Sequence, residues 1–281
     1  MRIFTILPLA LVLATACSSG TTQNASDANG NAKANLTVAG STALLPLVKQ
    51  AAQDYQSAHP SVRISVAGGG SRVGLTQAAQ KGVDIGDSDI APGPGQPDLV
   101  DHKVAVVIFA VIVHPSTGIT SLTKRQIGDI FAGKITNWKQ VGGADRPVTL
   151  VNRPKSSGTR AVFVALLMGG QQPTETALTQ DSSGTVVTTV AQTPGAISYV
   201  STGYLRNAQV TAVKIDGTEP TSSAVRSGRY AFWSYEHMVT PGPPPKAVAD
   251  FIAFVAGDRP LLHRVGFLAR DEVKSAGRTT P

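Results

Sequence analysis

The stretch NRPKSSGTRAVF, residues 152–163, brings arginine, serine, glycine and threonine to the approach of an apolar run. A guanidinium fork grips two oxygens of a tetrahedral oxyanion, and the free N–H groups at a helix mouth favour negative charge. Two other turns share the design, AGSTA (39–43) and GGGSRVG (68–74). Each is expected to follow a strand and open a helix, where open α/β sheets bind their ligands. One such turn alone reads as an ordinary cap, since Ser and Thr are common N-cap residues. Three that converge make an anion cradle. The GDSD segment adds the carboxylates of Asp87 and Asp89. An ionised aspartate only accepts hydrogen bonds, so it takes the proton of a protonated oxyanion and repels a bare one. Hydrogen phosphate carries such a proton at neutral pH and sulfate does not. A site that demands one hydrogen bond can reject the analogue lacking it by a factor on the order of 10⁴.

Other chemistries fit the residues poorly. GDIFAGK (128–134) has the G-x-x-x-x-G-K spacing of a nucleotide loop, but Ile135 follows and the span runs through an amphipathic helix pattern. A serine hydrolase needs a nucleophile elbow and a positioned base; no G-x-S-x-G is present. His59, His102, His114, His237 and His263 suggest no triad, and His237 in WSYEHM reads as structural. Scattered His and Asp with the single cysteine, Cys17, make no metal-ligand set, and no cofactor is expected. The formal charge of +7 comes from dispersed lysines and arginines, not from a basic stripe with aromatic platforms, so no nucleic-acid partner is expected. A mild positive field favours small anions. The expectation is a binding protein, not an enzyme.

The elements that must position these loops alternate. Strand patterns at 36–40, 62–69 and 83–90 are each followed by a polar loop, and two lead into helices in which Leu44, Leu47, Val48, Ala51 and Tyr55, for example, keep helical spacing. Residues 103–115 are apolar throughout, as in a strand buried on both faces. A second block has a helix capped by Thr123, a strand at 147–153, the helix opened by SGT, and a second SSGT (182–185) that reads as a plain helix cap. Strands at 210–217 and 230–240 and a helix at 245–257 close the body. This order argues for an α/β fold with parallel sheets covered by helices.

At the start, Arg2, an apolar run from Ile3 to Leu13 and small residues lead to Cys17. That pattern predicts a signal peptide over 1–16 and a lipidated Cys17, although Ala14 stands where a lipobox has leucine. Residues 17–35 carry no apolar period and read as a flexible tether.

With AGSTALLPL, GGGSRVG, VDIGDSD, ITNWKQVGG, RPKSSGT and PGAISYV in this order, the chain resembles the phosphate-binding proteins of ABC-type phosphate importers over about residues 36–256. The resemblance implies a type II periplasmic-binding-protein-like fold of two α/β lobes, with a ligand cleft and a two-crossing hinge between them. Lobe I would be 36–109 plus 229–281 and lobe II 110–228, with crossings near Ile108–Val113 and residue 228. It implies phosphate ligands at Thr42, the Ala43 backbone N–H, Ser71, Asp89, Arg153, Ser157, Gly158 and Thr159. Ser41 and Arg72 are possible additions, and Asp87 ranks as a neighbour. Arg72 departs from the family, which has a small residue there; it could enter the site, face solvent or pair with Asp89. The implied partners are inorganic phosphate and permease subunits, for an exported monomer that meets the outer face of the cell membrane only through its lipid. Another oxyanion (sulfate, molybdate), a sensor or scavenger uncoupled from transport and, remotely, a serine hydrolase are the alternatives.

Overall fold

The computed structural model describes residues 34–274. The expected signal peptide, Cys17 and nearly all of the tether lie outside the described residues. The first strand, β1 (Ala34–Gly40), takes in the last two residues assigned to the tether. Helix α1 (Leu45–Ala58) follows, with Pro46 in its first turn, where its missing N–H costs nothing. Then come β2 (Val62–Gly68), α2 (Ser71–Ala79) and β3 (Ile85–Ser88). Strand β1 lies between β2 and β3 and is parallel to both, with Gly40 opposite Gly68 and Asp87. The three strands therefore finish at one edge, and the polar loops after them meet there.

Strand β4 (Val100–Val113) is 14 residues long and buried from Val104 onward. The next block contains β5 (Ser121–Leu122), α3 (Lys124–Phe131), β6 (Thr149–Asn152), α4 (Gly158–Leu167), β7 (Leu178–Thr179), α5 (Ser183–Gln192), β8 (Ala196–Ser201), β9 (Thr211–Ile215) and α6 (Ser222–Arg226). The nucleotide-loop decoy begins inside α3, which Thr123 caps with the Gln126 side chain in a capping box. The chain returns through β10 (Trp233–Thr240), α7 (Lys246–Gly257), α8 (Arg259–Arg264) and β11 (Phe267–Leu268).

The sheet is mixed, which corrects the expectation of parallel sheets. β1, β2 and β3 are mutually parallel, as are β6, β7 and β8, but β4 is antiparallel to β8, β9, β10 and β11. An unbroken apolar run signals burial on both faces and is silent about strand direction. Residues Val100–Ile108 of β4 pair with β10, whereas Phe109–Val113 pair with β8. One strand thus carries the sheet from its first half to its second.

The return pass is fastened to this changeover. The Phe109 N–H donates to the Phe232 carbonyl at 3.0 Å, and Tyr230 Oη donates to the Phe109 carbonyl at 2.8 Å. Beneath the loops, Phe163 stacks on Tyr199 at 4.0 Å and meets Phe131 and Phe232. This aromatic layer joins the two halves and fixes α4, whose first residues matter below.

Helix α2 lies close on β1 and β3 because Gly74 presents no side chain to them. A Cβ there would stand 2.6 Å from the Asp87 carbonyl oxygen and 2.7 Å from that of Ala39. Gly74→Ala must push the helix off both strands and is expected to cost about 1–3 kcal/mol of stability. Urea unfolding checks this through a lowered midpoint at constant slope; an unmoved midpoint would contradict the packing argument.

Candidate functional site

The first loop, Ser41 to Ala43, leaves β1 beside β3. The Ser41 hydroxyl accepts from the Ala43 N–H at 3.0 Å and the Leu44 N–H at 3.2 Å, capping the turn that leads into α1. It also donates to Asp89 Oδ1. The second loop ends at Ser71, the first residue of α2, whose Oγ accepts from the Asp89 N–H at 2.9 Å. The third belongs to the other half of the sheet. Ser157 caps α4 by accepting from the Arg160 N–H at 3.2 Å, and Thr159 Oγ1 donates to Asp89 Oδ2 at 2.5 Å. Asp89 is therefore held by hydroxyls from both halves. Gly158 lets α4 approach, since a Cβ on it would lie 2.1 Å from Ser71 Oγ.

Arg153 follows β6 and is only 1% exposed. Its Nη2 donates to Thr42 Oγ1 at 3.1 Å and to the Asp181 carbonyl at 3.0 Å; its Nη1 reaches Ser183 Oγ at 3.4 Å. All three partners are neutral, and Nε is buried with no partner among the described residues. Burial lowers its proton affinity and nearby Asp89 works against that shift. A buried guanidinium with only neutral hydrogen-bond partners, beside the mouth of α4, is suited to pairing with an anion.

Ser41, Thr42, Ala43, Ser71, Asp89, Arg153, Ser157, Gly158 and Thr159 thus come together as the sequence suggested. Arg72 does not enter. Its side chain is exposed, with Nε donating to the Lys155 carbonyl at 3.2 Å while its N–H donates to the Ser156 carbonyl at 3.1 Å. It lines an outer cavity with Lys155, Ser156 and Arg160. Of the three possibilities, facing solvent is the one observed, with a tie to the third loop and no contact to Asp89.

Three contributors were not read from the sequence. Ser182 does cap α5, accepting from the Thr185 N–H at 3.1 Å. The next residue, Ser183, is fully buried; its N–H donates to Thr42 Oγ1 at 3.2 Å and its hydroxyl lies 3.2 Å from the same atom. The repeated SSGT is the available signal, though it has no arginine four residues before its second serine as the first has. Tyr204 donates to the Thr42 carbonyl at 2.6 Å, and burial pushes its phenol up to about 12. The third is Glu236 of β10, fully buried close to Asp89. Neither Tyr204 nor Glu236 had a local signal.

Each histidine hydrogen-bonds elsewhere: His59 to the Tyr55 carbonyl, His102 to Thr240, His114 to Ser116, His237 to Asp101 and His263 to Glu272. The cradle's serines therefore have no imidazole base in hydrogen-bond contact among the described residues. Nor, among those residues, does any group of three His, Cys, Asp or Glu suit a metal ion. The arrangement can bind and orient an oxyanion.

Residues 23–259 match a family model described as a PBP superfamily domain. The chain is 41% identical to the phosphate-binding protein PstS of Bacillus subtilis over 257 residues, covering 88% of this chain and 85% of that protein. It is 26% identical to the PstS of Borreliella burgdorferi, covering 83% and 89% respectively. Among solved structures, a phosphate ABC transporter substrate-binding protein from Clostridium perfringens with bound phosphate superposes with a TM-score of 0.79 at 28% identity, covering 84% of this chain and 99% of that one. An ABC-type phosphate transport receptor from Vibrio cholerae gives 0.68 at 28% identity, covering 83% and 99%.

The Asp87 side chain shares this interior. It is fully buried, neither carboxyl oxygen has a partner among the described residues, and burial, reinforced by Asp89, holds its carboxyl well above the usual 3.8. A carboxyl raised by folding keeps its proton where the unfolded chain has lost it. Its contribution to stability is complete below the ordinary carboxylate range and is lost as pH rises through the folded value. Asp87→Asn is therefore expected to gain stability over the parent at about pH 8 relative to about pH 4. Urea unfolding of both proteins at the two pH values tests this, and an equal difference at both would contradict it.

Proposed function

The chain belongs to the PBP superfamily and, within it, to the phosphate-binding proteins of the PstS type, and we propose that it captures inorganic phosphate and delivers it to an ABC importer. The observation that carries this reading is Arg153, a buried cation whose hydrogen-bond partners are all neutral, set opposite an acceptor carboxylate in a hydroxyl-lined cradle.

In this reading, Arg153 supplies charge, and Thr42, Ser71 and Ser157 supply hydroxyls, while the Thr159 hydroxyl is committed to Asp89. The backbone N–H groups of Gly158 and Thr159 complete the donors at the mouth of α4, and the Ala43 N–H would exchange the Ser41 hydroxyl for the ligand. Ser41 acts through Asp89. Asp89 takes the ligand's own proton; a carboxylate has about four lone-pair positions, and the Ser41 and Thr159 hydroxyls use two of them. The protein captures phosphate without chemistry, so it is not an enzyme. Residues 36–109 with 229–281 form one lobe and 110–228 the other. Phosphate docks on one, the second closes over it about β4 and the return pass near Tyr230, and the closed form meets the permease. The chain acts outside the cytoplasmic membrane as a monomer, tethered by lipid on Cys17.

Calorimetry on protein freed of anion by unfolding and refolding tests the reading, with phosphate expected to bind tightly and sulfate to give no heat. Equal binding of both would make this a general oxyanion receptor, and silence from folded protein would remove the function. Arg153→Ala leaves a buried dianion short of countercharge and is expected to cost about 3–5 kcal/mol of binding. Ser71→Ala removes one neutral hydrogen-bonding group and is expected to cost only about 0.5–1.5 kcal/mol. Comparable losses would sink that ranking. Asp89→Asn, whose amide can donate to a bare oxyanion, is expected to narrow the preference for phosphate over sulfate.

A further inference from the structure

Strand β10 runs antiparallel to β3, with Met238 opposite Asp87 and His237 opposite Ser88. Extending that register by one residue sets Glu236 opposite Asp89, where side chains on one sheet face have Cβ atoms roughly 4.5–5.5 Å apart. The Ser234 hydroxyl donates to the Asp89 carbonyl at 3.0 Å, so β10 stays against the chain just beyond β3. Glu236 is fully buried, no donor among the described residues satisfies its carboxyl oxygens, and the Asp89 carboxylate lies within hydrogen-bonding reach of it. Its charged and titratable neighbours are Asp87 and Asp89 from the β3 segment and Tyr204 from the turn after β8. On β4 it pairs with Ala105, which is neutral. The adjacent His237 is paired with Asp101, and Arg153 has Asp89 and Asp181 as its carboxylate neighbours.

Building on the phosphate reading, we propose that Glu236 is a positioning residue for phosphate selectivity: a neutral carboxyl that donates its proton to Asp89 and holds that carboxylate as an acceptor for the ligand. An ionised Glu236 would stand without a cation beside another carboxylate, an arrangement low-dielectric surroundings do not sustain. Burial and the two aspartates accordingly hold its carboxyl well above the usual 4.5. A carboxylic acid is a donor, and Asp89 is the acceptor it faces. Ser41, Thr159 and Glu236 then fill three of the roughly four lone-pair positions of Asp89. One remains, and only a ligand that brings a proton can fill it.

Two measurements test this. With isotope-labelled glutamate, carboxyl-carbon NMR at about pH 8 is expected to show one resonance in the acid form that is absent from Glu236→Gln. A Glu236 resonance at the carboxylate position overturns the proposal, with or without phosphate binding. Calorimetry then compares Glu236→Gln, which keeps an N–H donor, with Glu236→Leu, which has none. Gln is expected to hold phosphate within about threefold of the parent, while Leu loses about tenfold or more of the phosphate-to-sulfate ratio. An unchanged ratio in Leu, or a Gln variant as unselective as a folded Leu variant, refutes the positioning role. Should Leu not fold, the resonance and the Gln affinity decide. A parent that binds no phosphate but shows the acid-form resonance would defeat the phosphate reading and with it the selectivity role, whereas a parent that binds phosphate leaves the resonance and the two variants to decide the role of Glu236.

Discussion

Asp89 accepts hydroxyls from Ser41 on one half of the sheet and Thr159 on the other, and this shared acceptor sets the geometry of everything around it. A carboxylate cannot satisfy two hydroxyls on opposite walls unless those walls stand at one separation. Gly158 permits that separation, because any side chain there would meet Ser71. Ser71 in turn accepts from the Asp89 backbone, so the carboxylate is held by its main chain as well as by its oxygens. The same contacts that align an acceptor for a ligand's proton also join the two halves, which is why binding and closure are one event in the proposed cycle.

Charge explains the rest of the interior. Arg153 is a cation among neutral donors and acceptors, and the N-termini of α2, α4 and α5 add partial positive charge. Three buried carboxyls lie nearby, and if all were ionised they would cancel any attraction for an anion. Burial works against this for Asp87 and Glu236, whose carboxyls are pushed well up. Asp89 accepts from the hydroxyls of Ser41 and Thr159. One acid serves as acceptor while burial disfavours charge on the other two, which favours an oxyanion.

The scaffold beneath must be rigid within each half yet continuous between them. Strand β4 satisfies both needs by exchanging one set of partners for another at Phe109, where Phe232 and Tyr230 fasten the return pass. The aromatic stack of Phe163 on Tyr199 keeps α4 and its donor-rich mouth in register with the sheet.

The local chemistry was legible in the chain. Short turns of Gly, Ser and Thr between a β-branched run and a helical period fix the strand–loop–helix units, because backbone freedom and capping depend on neighbours a few residues apart. Arg153, Ser157 and Thr159 could be named for that reason, whereas the GDSD turn offered Asp87 and Asp89 alike and the family resemblance singled out Asp89. What lies across strands could not. The antiparallel course of β4, the burial of Ser183 beside Thr42, the outward turn of Arg72 and the placement of Glu236 opposite Asp89 all depend on register between segments far apart in sequence. A serine that caps a helix and one that enters a binding site obey the same local rule, as Ser182 and Ser183 show. The sequence by itself determined which loops could receive an anion and which acids stood beside them. Tertiary structure decided which side chains share the space and which acids are buried there, because burial and strand pairing are properties of the assembled sheet.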